Sequence, residues 1–417
     1  MYTCKTIAVE MRGVAFNNNA IHFNTAQITG RCTPRTRHFG HLLEEIYIAR
    51  ISILPHARPF ITNFVADKVI ELFPQSENLI RHLQTTTEKK CRHYEQLDSF
   101  KFKEDQDMTD LYSPHPKPWC LPSKHEVAAL EKRLPLRGTW PAREPVRDST
   151  KYYTSAASQA ARFLLSLSRQ NRAQIRNIEL HEKHACIAYS ECHARALIPY
   201  AVGNPNLRIV RRVDLWNTVL ASERLSRLET HRCSFGRGRT PLEDMERMDV
   251  TRSVVPWLME ASALASIGTP IKSFSLIFEG ETNAIQPVFD MLIEDAIWQD
   301  ALQQWSGHGI VPSSAQRNGT GYRSYYCYLF KGYPEMMKDV VNGTGLVSFE
   351  HCYAQGWDPE RILSMNSNCQ GMHDWWLQWK SSRLLQYVAP PLPRTWQTIL
   401  TGYLCQDENT AQGERDI

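Results

Sequence analysis

Histidine and cysteine side chains concentrate in one short stretch of the chain and offer the ligands that Zn²⁺ prefers. The stretch contains His181, His184, Cys186, Cys192 and His193. Four imidazole or thiolate ligands that converge on one point form a structural zinc site. However, the stretch has no Cys-x-x-Cys pair and no second ligand pair at zinc-finger spacing. We therefore predict no metal site and interpret the five as ordinary strand and helix-start residues.

The same residues offer a second chemistry, nucleophilic catalysis by a thiolate. A cysteine nucleophile needs a base within hydrogen-bond reach, such as His181 or His193, and a group that orients the base. No local signature of such an enzyme is present, and the phosphate-loop, dinucleotide, zinc-protease and serine-hydrolase motifs are missing too. The sequence thus predicts no catalytic residue and no cofactor, with an enzyme of unidentified class kept as the alternative.

Two other groups of side chains suggest binding partners. Trp375, Trp376 and Trp379 are spaced as helical neighbours near the C-terminus, and Trp357 lies upstream of them. These tryptophans either anchor a protein partner or pack into the core, and the large apolar area of each favours the core. Arginines in the range Arg232–Arg239 surround Phe235, an arrangement that could bind single-stranded nucleic acid. Flanking glutamates weaken the field of that patch, so we interpret it as a solvated loop and keep nucleic-acid binding as a further alternative.

Composition and charge set the class of protein. The chain has 417 residues, of which 42% are hydrophobic, and its 48 basic and 44 acidic side chains nearly cancel. This balance gives no long-range attraction to nucleic acid or to an anionic membrane. The eleven cysteines are scattered and odd in number, unlike a disulfide framework. With no apolar run near the roughly 20 residues that span a bilayer and no export signal, we expect an intracellular protein, cytoplasmic or nuclear, without membrane contact.

The pattern of apolar residues divides the chain into five parts. We predict a loosely ordered lead over 1–38, a helical section over 39–98, a charged and proline-rich linker over 99–150, a main domain over 151–405 and a polar tail over 406–417. The linker includes one short helix at His125–Leu134.

Helix and strand patterns alternate in the main domain. Predicted strands include Ile175–Leu180, Ala185–Tyr189, Leu207–Val213 and the alternating segment that begins at Phe274. Between them, Thr154 and Ser155 can cap a helix, and a helix from Glu191 ends near Pro199. The alternation predicts a mixed α/β fold in which helices pack in layers on a sheet. A leucine-rich-repeat-like stack fits this pattern, although no unit recurs at fixed length.

Several short motifs follow one another within residues 154–305. They are Ala160-Ala-Arg-Phe-Leu-Leu-Ser-Leu167, Ile175-Arg-Asn-Ile178, Glu191-Cys-His193, Leu197-Ile-Pro199, Asn204-Pro-Asn-Leu-Arg-Ile209, Arg212-Val-Asp-Leu-Trp216 and Asp295-Ala-Ile-Trp-Gln-Asp-Ala301. In order and spacing they resemble a lineage-restricted family of fungal proteins that is loosely akin to fungal F-box-like proteins. The resemblance implies a fungal origin and suggests a ubiquitin-ligase adaptor as a partner. It implies no enzymatic activity and no catalytic residues. The Leu-Pro-x-Glu-like helix start of an F-box does not occur in His41–Leu54.

Together these observations predict a non-enzymatic intracellular protein that binds a protein partner through an α/β scaffold. The sequence does not identify that partner or a pathway. The alternatives are an enzyme or zinc-binding protein that uses the His181–His193 region, and a nucleic-acid-binding module.

Overall fold

We describe the protein from a computed structural model, in which seven short segments of the described residues form β-strands. They are β1 (Ala20–Asn24), β2 (Ala26–Gln27), β3 (Tyr153–Thr154), β4 (Asn177–Glu182), β5 (Arg208–Asp214), β6 (Phe274–Glu279) and β7 (Val347–Phe349). Five of them make one parallel sheet in the order β1-β4-β5-β6-β7, and β2 pairs with β3 in an antiparallel ribbon. The mixed α/β fold predicted from the sequence is confirmed.

The structure describes part of the chain. Its described residues are 19–28, 35–36, 38–40, 42–43, 46, 62–64, 66–67, 117–120, 123–133, 151–222, 247–266, 269–270, 273–306, 330, 332–354, 356–369, 374–375, 377–379, 398–399 and 403. Most of the predicted helical section, most of the linker and the whole polar tail lie outside these residues.

The chain divides into two compact units. Unit 1 comprises Met1–Ile28 and Ser149–Ile417, and unit 2 comprises Thr29–Asp148. Unit 2 contains helix α1 (Lys124–Arg133), which confirms the short helix predicted in the linker. At its start Ser123 and Glu126 form a capping box, in which each side chain accepts a hydrogen bond from the other residue's backbone N–H.

The helices in the described part of unit 1 lie between strands in sequence, except the last, which follows β7. They are α2 (Ala156–Ser166), α3 (Arg169–Gln174), α4 (Ile198–Gly203), α5 (Arg247–Ser266), α6 (Thr282–Ser306), α7 (Tyr333–Asn342) and α8 (Pro359–Met365), with a 3₁₀-helix at Ser190–Leu197 and a π-helix at Leu215–Leu220. The strands from β4 onward begin at residues 177, 208, 274 and 347. Strand order therefore follows the chain, as in a stack, but the interval between strands is not constant.

One face of the parallel sheet is buried under helices. Alternate residues of the strands point into a single hydrophobic core, among them Ile178, Leu180, Ile209, Leu276 and Phe278. Residues of α2, α5 and α6 belong to the same core. Burial of apolar area on this side is the main stabilising contribution, at about 25 cal/mol per Å² removed from water.

Helix α2 begins at a buried polar cap that links it to the sheet. The Ser155 hydroxyl accepts a hydrogen bond from the Ser158 N–H at 3.0 Å, so the predicted cap is confirmed. The Glu182 carboxylate, at the end of β4, accepts the N–H groups of Ala156 and Ala157 at 2.8 and 3.3 Å. A carboxylate at a helix N-terminus satisfies unpaired donors and complements the helix dipole.

Three sequence predictions of local structure are wrong. The predicted lead contains strand β1, because Ile21 and Phe23 pack on the core and the segment pairs with β4. The predicted strand Ala185–Tyr189 is a loop in which Ala188 and Tyr189 have φ values of 57°, outside the range of a strand. The helix expected to stop near Pro199 is a 3₁₀-helix that is followed directly by α4. Pro199 lies in the first turn of α4, where a backbone N–H would have no hydrogen-bond partner within the helix, so proline is tolerated there.

Candidate functional site

The face of the sheet opposite the core carries polar and charged side chains that are half-buried or exposed. We call it the open face and define it by strand residues that alternate with buried ones: His22, Glu179, His181, Arg208, Val210, Arg212, Ser275, Ile277, Glu279 and Ser348. Because strands in register place paired residues side by side, these side chains form rows across the sheet. One row runs from His22 through Glu179 and Val210 to Ser275, and the next runs from His181 through Arg212 and Ile277 to Ser348.

Arg212 lies at the middle of the second row between two carboxylates. Its Nη1 atom is 3.6 Å from Glu279 Oε2 and 3.5 Å from Glu350 Oε1. All three side chains are partly exposed, so each pair contributes only about 0–1 kcal/mol to stability. The three groups therefore form a charged patch with one excess negative charge, and they remain accessible to a partner.

His22, Glu179 and His181 bring three potential metal ligands together at the β1 side of the open face. His22 Nδ1 is 3.2 Å from His181 Nε2 and 3.5 Å from Glu179 Oε2, and His181 Nε2 is 3.7 Å from the same oxygen. The two imidazole rings stack, with centroids 5.5 Å apart and an interplanar angle of 18°. Among the described residues these three form the group whose donor atoms are close enough to hold one metal ion.

The environment of His181 favours its neutral form. Partial burial lowers the pKa of His181, while the nearby carboxylates of Glu279 and Glu179 act in the opposite direction. A neutral imidazole has a lone pair available, as metal ligands and hydrogen-bond acceptors require.

The other four histidines and cysteines singled out in the sequence occupy separate environments. His184 stacks on Tyr153, with ring centroids 4.3 Å apart. Cys186 is buried, and burial raises its pKa well above the ordinary value of a thiol. His193 is buried, with Nδ1 2.8 Å from the Ser155 hydroxyl and Nε2 2.8 Å from the Ala188 carbonyl oxygen. Both ring nitrogens of His193 are therefore engaged in structural hydrogen bonds.

Cys192 lines a pocket between the 3₁₀-helix and α5, beside Glu191 and Trp257. Burial, with the neighbouring Glu191 and Glu260 carboxylates, raises the pKa of Cys192 to about 12. Arg195 closes one side of this pocket and donates two hydrogen bonds of 2.7 Å to Glu260. Since a thiolate is the reactive form of cysteine, this arrangement disfavours a nucleophilic role for Cys192.

Tryptophans near the C-terminus pack inside unit 1. Trp375 and Trp379 are 0% and 1% exposed, and Trp379 stacks on Trp298 with ring centroids 5.8 Å apart. Trp357 donates a hydrogen bond from Nε1 to Asp300 Oδ2 at 2.9 Å. Their burial agrees with core packing for Trp375 and Trp379 and speaks against the alternative that these two anchor a partner. Trp376 and the Arg232–Arg239 stretch lie outside the described residues.

Neither family models nor curated proteins nor solved structures gave a match to this chain. No helix among the described residues is both long and apolar enough to cross a membrane.

Two members of the histidine–glutamate group, His22 and Glu179, were not singled out from the sequence. His22 belongs to Ala20–Asn24, where apolar and polar residues alternate, so a period-two reading of that segment would have indicated a strand. Its pairing with β4, more than 150 residues further along the chain, has no local signal.

Proposed function

We propose that this protein is a non-enzymatic interaction protein that binds a polypeptide partner on the open face of its parallel sheet. The observation that carries the proposal is the asymmetry of the sheet, with one face packed under helices and the other presenting ordered rows of side chains. A rigid sheet holds such side chains in fixed relative positions, which favours specific recognition.

The chemistry of the open face fits a peptide or protein surface of mixed character. Val210 and Ile277 are half-buried apolar residues on adjacent strands, suited to cover apolar side chains of a partner. Next to them, the patch of Arg212, Glu279 and Glu350 carries one excess negative charge. We infer a partner that places an apolar side chain on Ile277 and a basic group beside Glu279 and Glu350, because opposite charges steer and orient association.

The environments of the candidate nucleophiles support a role other than covalent catalysis. Cys186 is buried with a strongly raised pKa, and the pKa of Cys192 is about 12. The hydroxyl of Ser155 is buried and caps helix α2. Each of these groups has a structural environment that opposes formation of an accessible anion.

The test is a comparison of tagged variants in the native cells of the protein. We would purify wild-type protein and the Ile277→Arg variant under gentle conditions and quantify co-purifying proteins by mass spectrometry. A large charged side chain in the centre of a binding surface typically costs more than 2 kcal/mol, so the recovery of a genuine partner should fall at least about tenfold.

Leu165→Arg provides the matched control. Leu165 is 71% exposed and lies on α2, outside the open face, and the same substitution there should leave partner recovery unchanged. Circular dichroism and thermal denaturation would verify that both variants fold. The proposal would be overturned if both variants retained every stoichiometric partner equally, or if the wild-type protein recovered no stoichiometric partner.

The resemblance to fungal F-box-like proteins adds one named class of partner to this experiment, a ubiquitin-ligase adaptor. Its stoichiometric recovery would support that relationship. Such an adaptor should be retained by Ile277→Arg if it binds elsewhere on the chain, which separates adaptor binding from recognition on the open face.

A further inference from the structure

We propose that His22, Glu179 and His181 bind a zinc ion at the β1 side of the open face. This inference stands on the geometry of the three side chains and does not depend on the proposed interaction function. Two of the ligands lie on β4 and one lies on β1, and the site leaves the fourth position of a four-coordinate ion open for water.

The sheet itself brings the three ligands together. Glu179 and His181 are two residues apart on β4, so their side chains emerge on the same face. His22 is the register partner of Glu179 on β1, and neighbouring strands are separated by about 4.8 Å. Two residues at i and i+2 on one strand and a third on the adjacent strand therefore form a compact triangle on rigid backbone.

The size of that triangle matches four-coordinate zinc. Ligands at about 2.0–2.1 Å from a tetrahedral ion are about 3.3–3.4 Å apart, whereas adjacent ligands of an octahedral ion at about 2.1 Å are about 3.0 Å apart. The observed separations between donor atoms are 3.2, 3.5 and 3.7 Å. A tetrahedral ion needs smaller adjustments of these side chains than an octahedral ion does.

The ligand types also favour zinc. Two imidazole nitrogens and one carboxylate oxygen form one of the ligand sets that proteins use for zinc with an open fourth position. The side chains of His22, Glu179 and His181 are 54%, 30% and 20% exposed. An ion held there is reachable from solvent.

A simple hydrogen bond is the competing explanation of the contact between the two histidines. One neutral imidazole can donate its N–H to the lone pair of the other across 3.2 Å. That arrangement uses the Glu179 carboxylate only as a neighbouring charge and gives the group no affinity for zinc. The two explanations can therefore be distinguished by the affinity of the protein for zinc.

The first measurement is isothermal titration calorimetry of the full-length protein with zinc chloride, which gives its affinity for zinc. The protein is dialysed against a chelator beforehand. The variants are His22→Ala, Glu179→Gln and His181→Ala. Even the loss of a residue that merely orients a ligand weakens binding by 10–100-fold, so the loss of a ligand should weaken this site by at least about 100-fold. His351→Ala is the control, because His351 is 71% exposed and lies 3.9 Å from the Glu350 carboxylate.

Cobalt substitution identifies the ligand atoms, which matters in a chain with eleven cysteines. We expect the visible absorption of four-coordinate Co²⁺ without the near-ultraviolet charge-transfer bands of Co²⁺–thiolate bonds. The His22→Ala variant should lose that absorption and keep its fold by circular dichroism. Zinc binding that is unchanged in all three ligand variants, thiolate bands in the cobalt spectrum, or no zinc binding by the wild-type protein would each overturn the proposal.

Discussion

Arg211 and Glu182 form an ion pair inside unit 1, with Arg211 Nη2 2.9 Å from Glu182 Oε1 and side chains that are 1% and 0% exposed. The guanidinium also donates hydrogen bonds to the carbonyl oxygens of Ser190 and Glu191 at 2.6 and 3.0 Å. Its central carbon lies 4.6 Å from the ring centroid of Trp257. One arginine thus connects two strands of the sheet to the 3₁₀-helix and to α5.

Replacement of this arginine should strongly destabilise the protein. Arg211→Met leaves the Glu182 carboxylate buried without its cation, and breaking a buried pair in this way costs about 3–5 kcal/mol. Urea denaturation would measure the free energy of unfolding. Arg212→Met is the matched control on the open face, where partly exposed pairs contribute about 0–1 kcal/mol. Equal decreases in the free energy of unfolding of the two variants would contradict the larger contribution expected of the buried pair.

The buried His193 should make stability depend on pH in the acidic range. Burial, and next the positive charge of Arg211, lower the pKa of His193 to about 3 from an ordinary value of 6.5. Between these values the unfolded chain binds a proton that the folded protein does not, so the free energy of unfolding falls as the pH is lowered through this window. Urea denaturation at several pH values should show a shallower dependence for His193→Gln. Parallel profiles for the two proteins would exclude this contribution.

Thiol reactivity should distinguish the cysteines of the described residues. Cys120 is exposed, whereas Cys192 has a pKa of about 12, so only about one molecule in 10,000 carries the Cys192 thiolate at pH 8. Iodoacetamide should therefore modify Cys120 well before Cys192 or the buried Cys186, as measured by peptide mass spectrometry. Labelling in denaturant controls for peptide detection. Comparable rates of iodoacetamide modification for Cys120 and Cys192 in the folded protein would argue against the buried environment described for Cys192.

The tryptophan cluster should be a major source of stability. Trp379 is 1% exposed and stacks on Trp298, and removal of a buried tryptophan side chain typically costs about 3–5 kcal/mol. Trp379→Ala should lower the free energy of unfolding by that amount in urea titrations. Leu377→Ala is the control, because Leu377 is 48% exposed and a substitution at an exposed position usually changes the free energy of unfolding by less than about 0.5 kcal/mol. A loss below about 1 kcal/mol for Trp379→Ala would contradict its core position.

Local patterns in the sequence predicted most of the central strands but not the assembly at the β1 side of the sheet. The alternation of Phe274, Leu276 and Phe278 with Ser273, Ser275 and Ile277 correctly predicted β6, because burial of one face imposes period two. The segment Ala185–Tyr189 has a similar composition, yet the positive φ of Ala188 and Tyr189 makes it a loop. Positive φ is favoured by glycine, asparagine and aspartate, so the residue types alanine and tyrosine do not indicate this loop.

The candidate site shows the same limit. The histidine and cysteine content of 181–193 indicates His181 as a candidate ligand, but the other members of that stretch are not its partners in space. Its neighbours in space are Glu179, two positions earlier, and His22, which a pairing of distant strands brings into contact. Local spacing cannot encode a pairing across so long a separation, whereas the alternation around His22 was available as a signal that β1 is a strand.

Strands β2 and β3 are neighbours although unit 2 lies between them in sequence. The Ile28 N–H donates to the Tyr152 carbonyl oxygen at 2.8 Å, so the chain leaves and re-enters unit 1 at adjoining points. Such a gap can be closed by a turn of about two to five residues, so the backbone of unit 1 could be joined without unit 2. During translation at 5–20 residues per second, β1 would leave the ribosome roughly 8–30 s before β4. For that time β1 would have no strand to pair with.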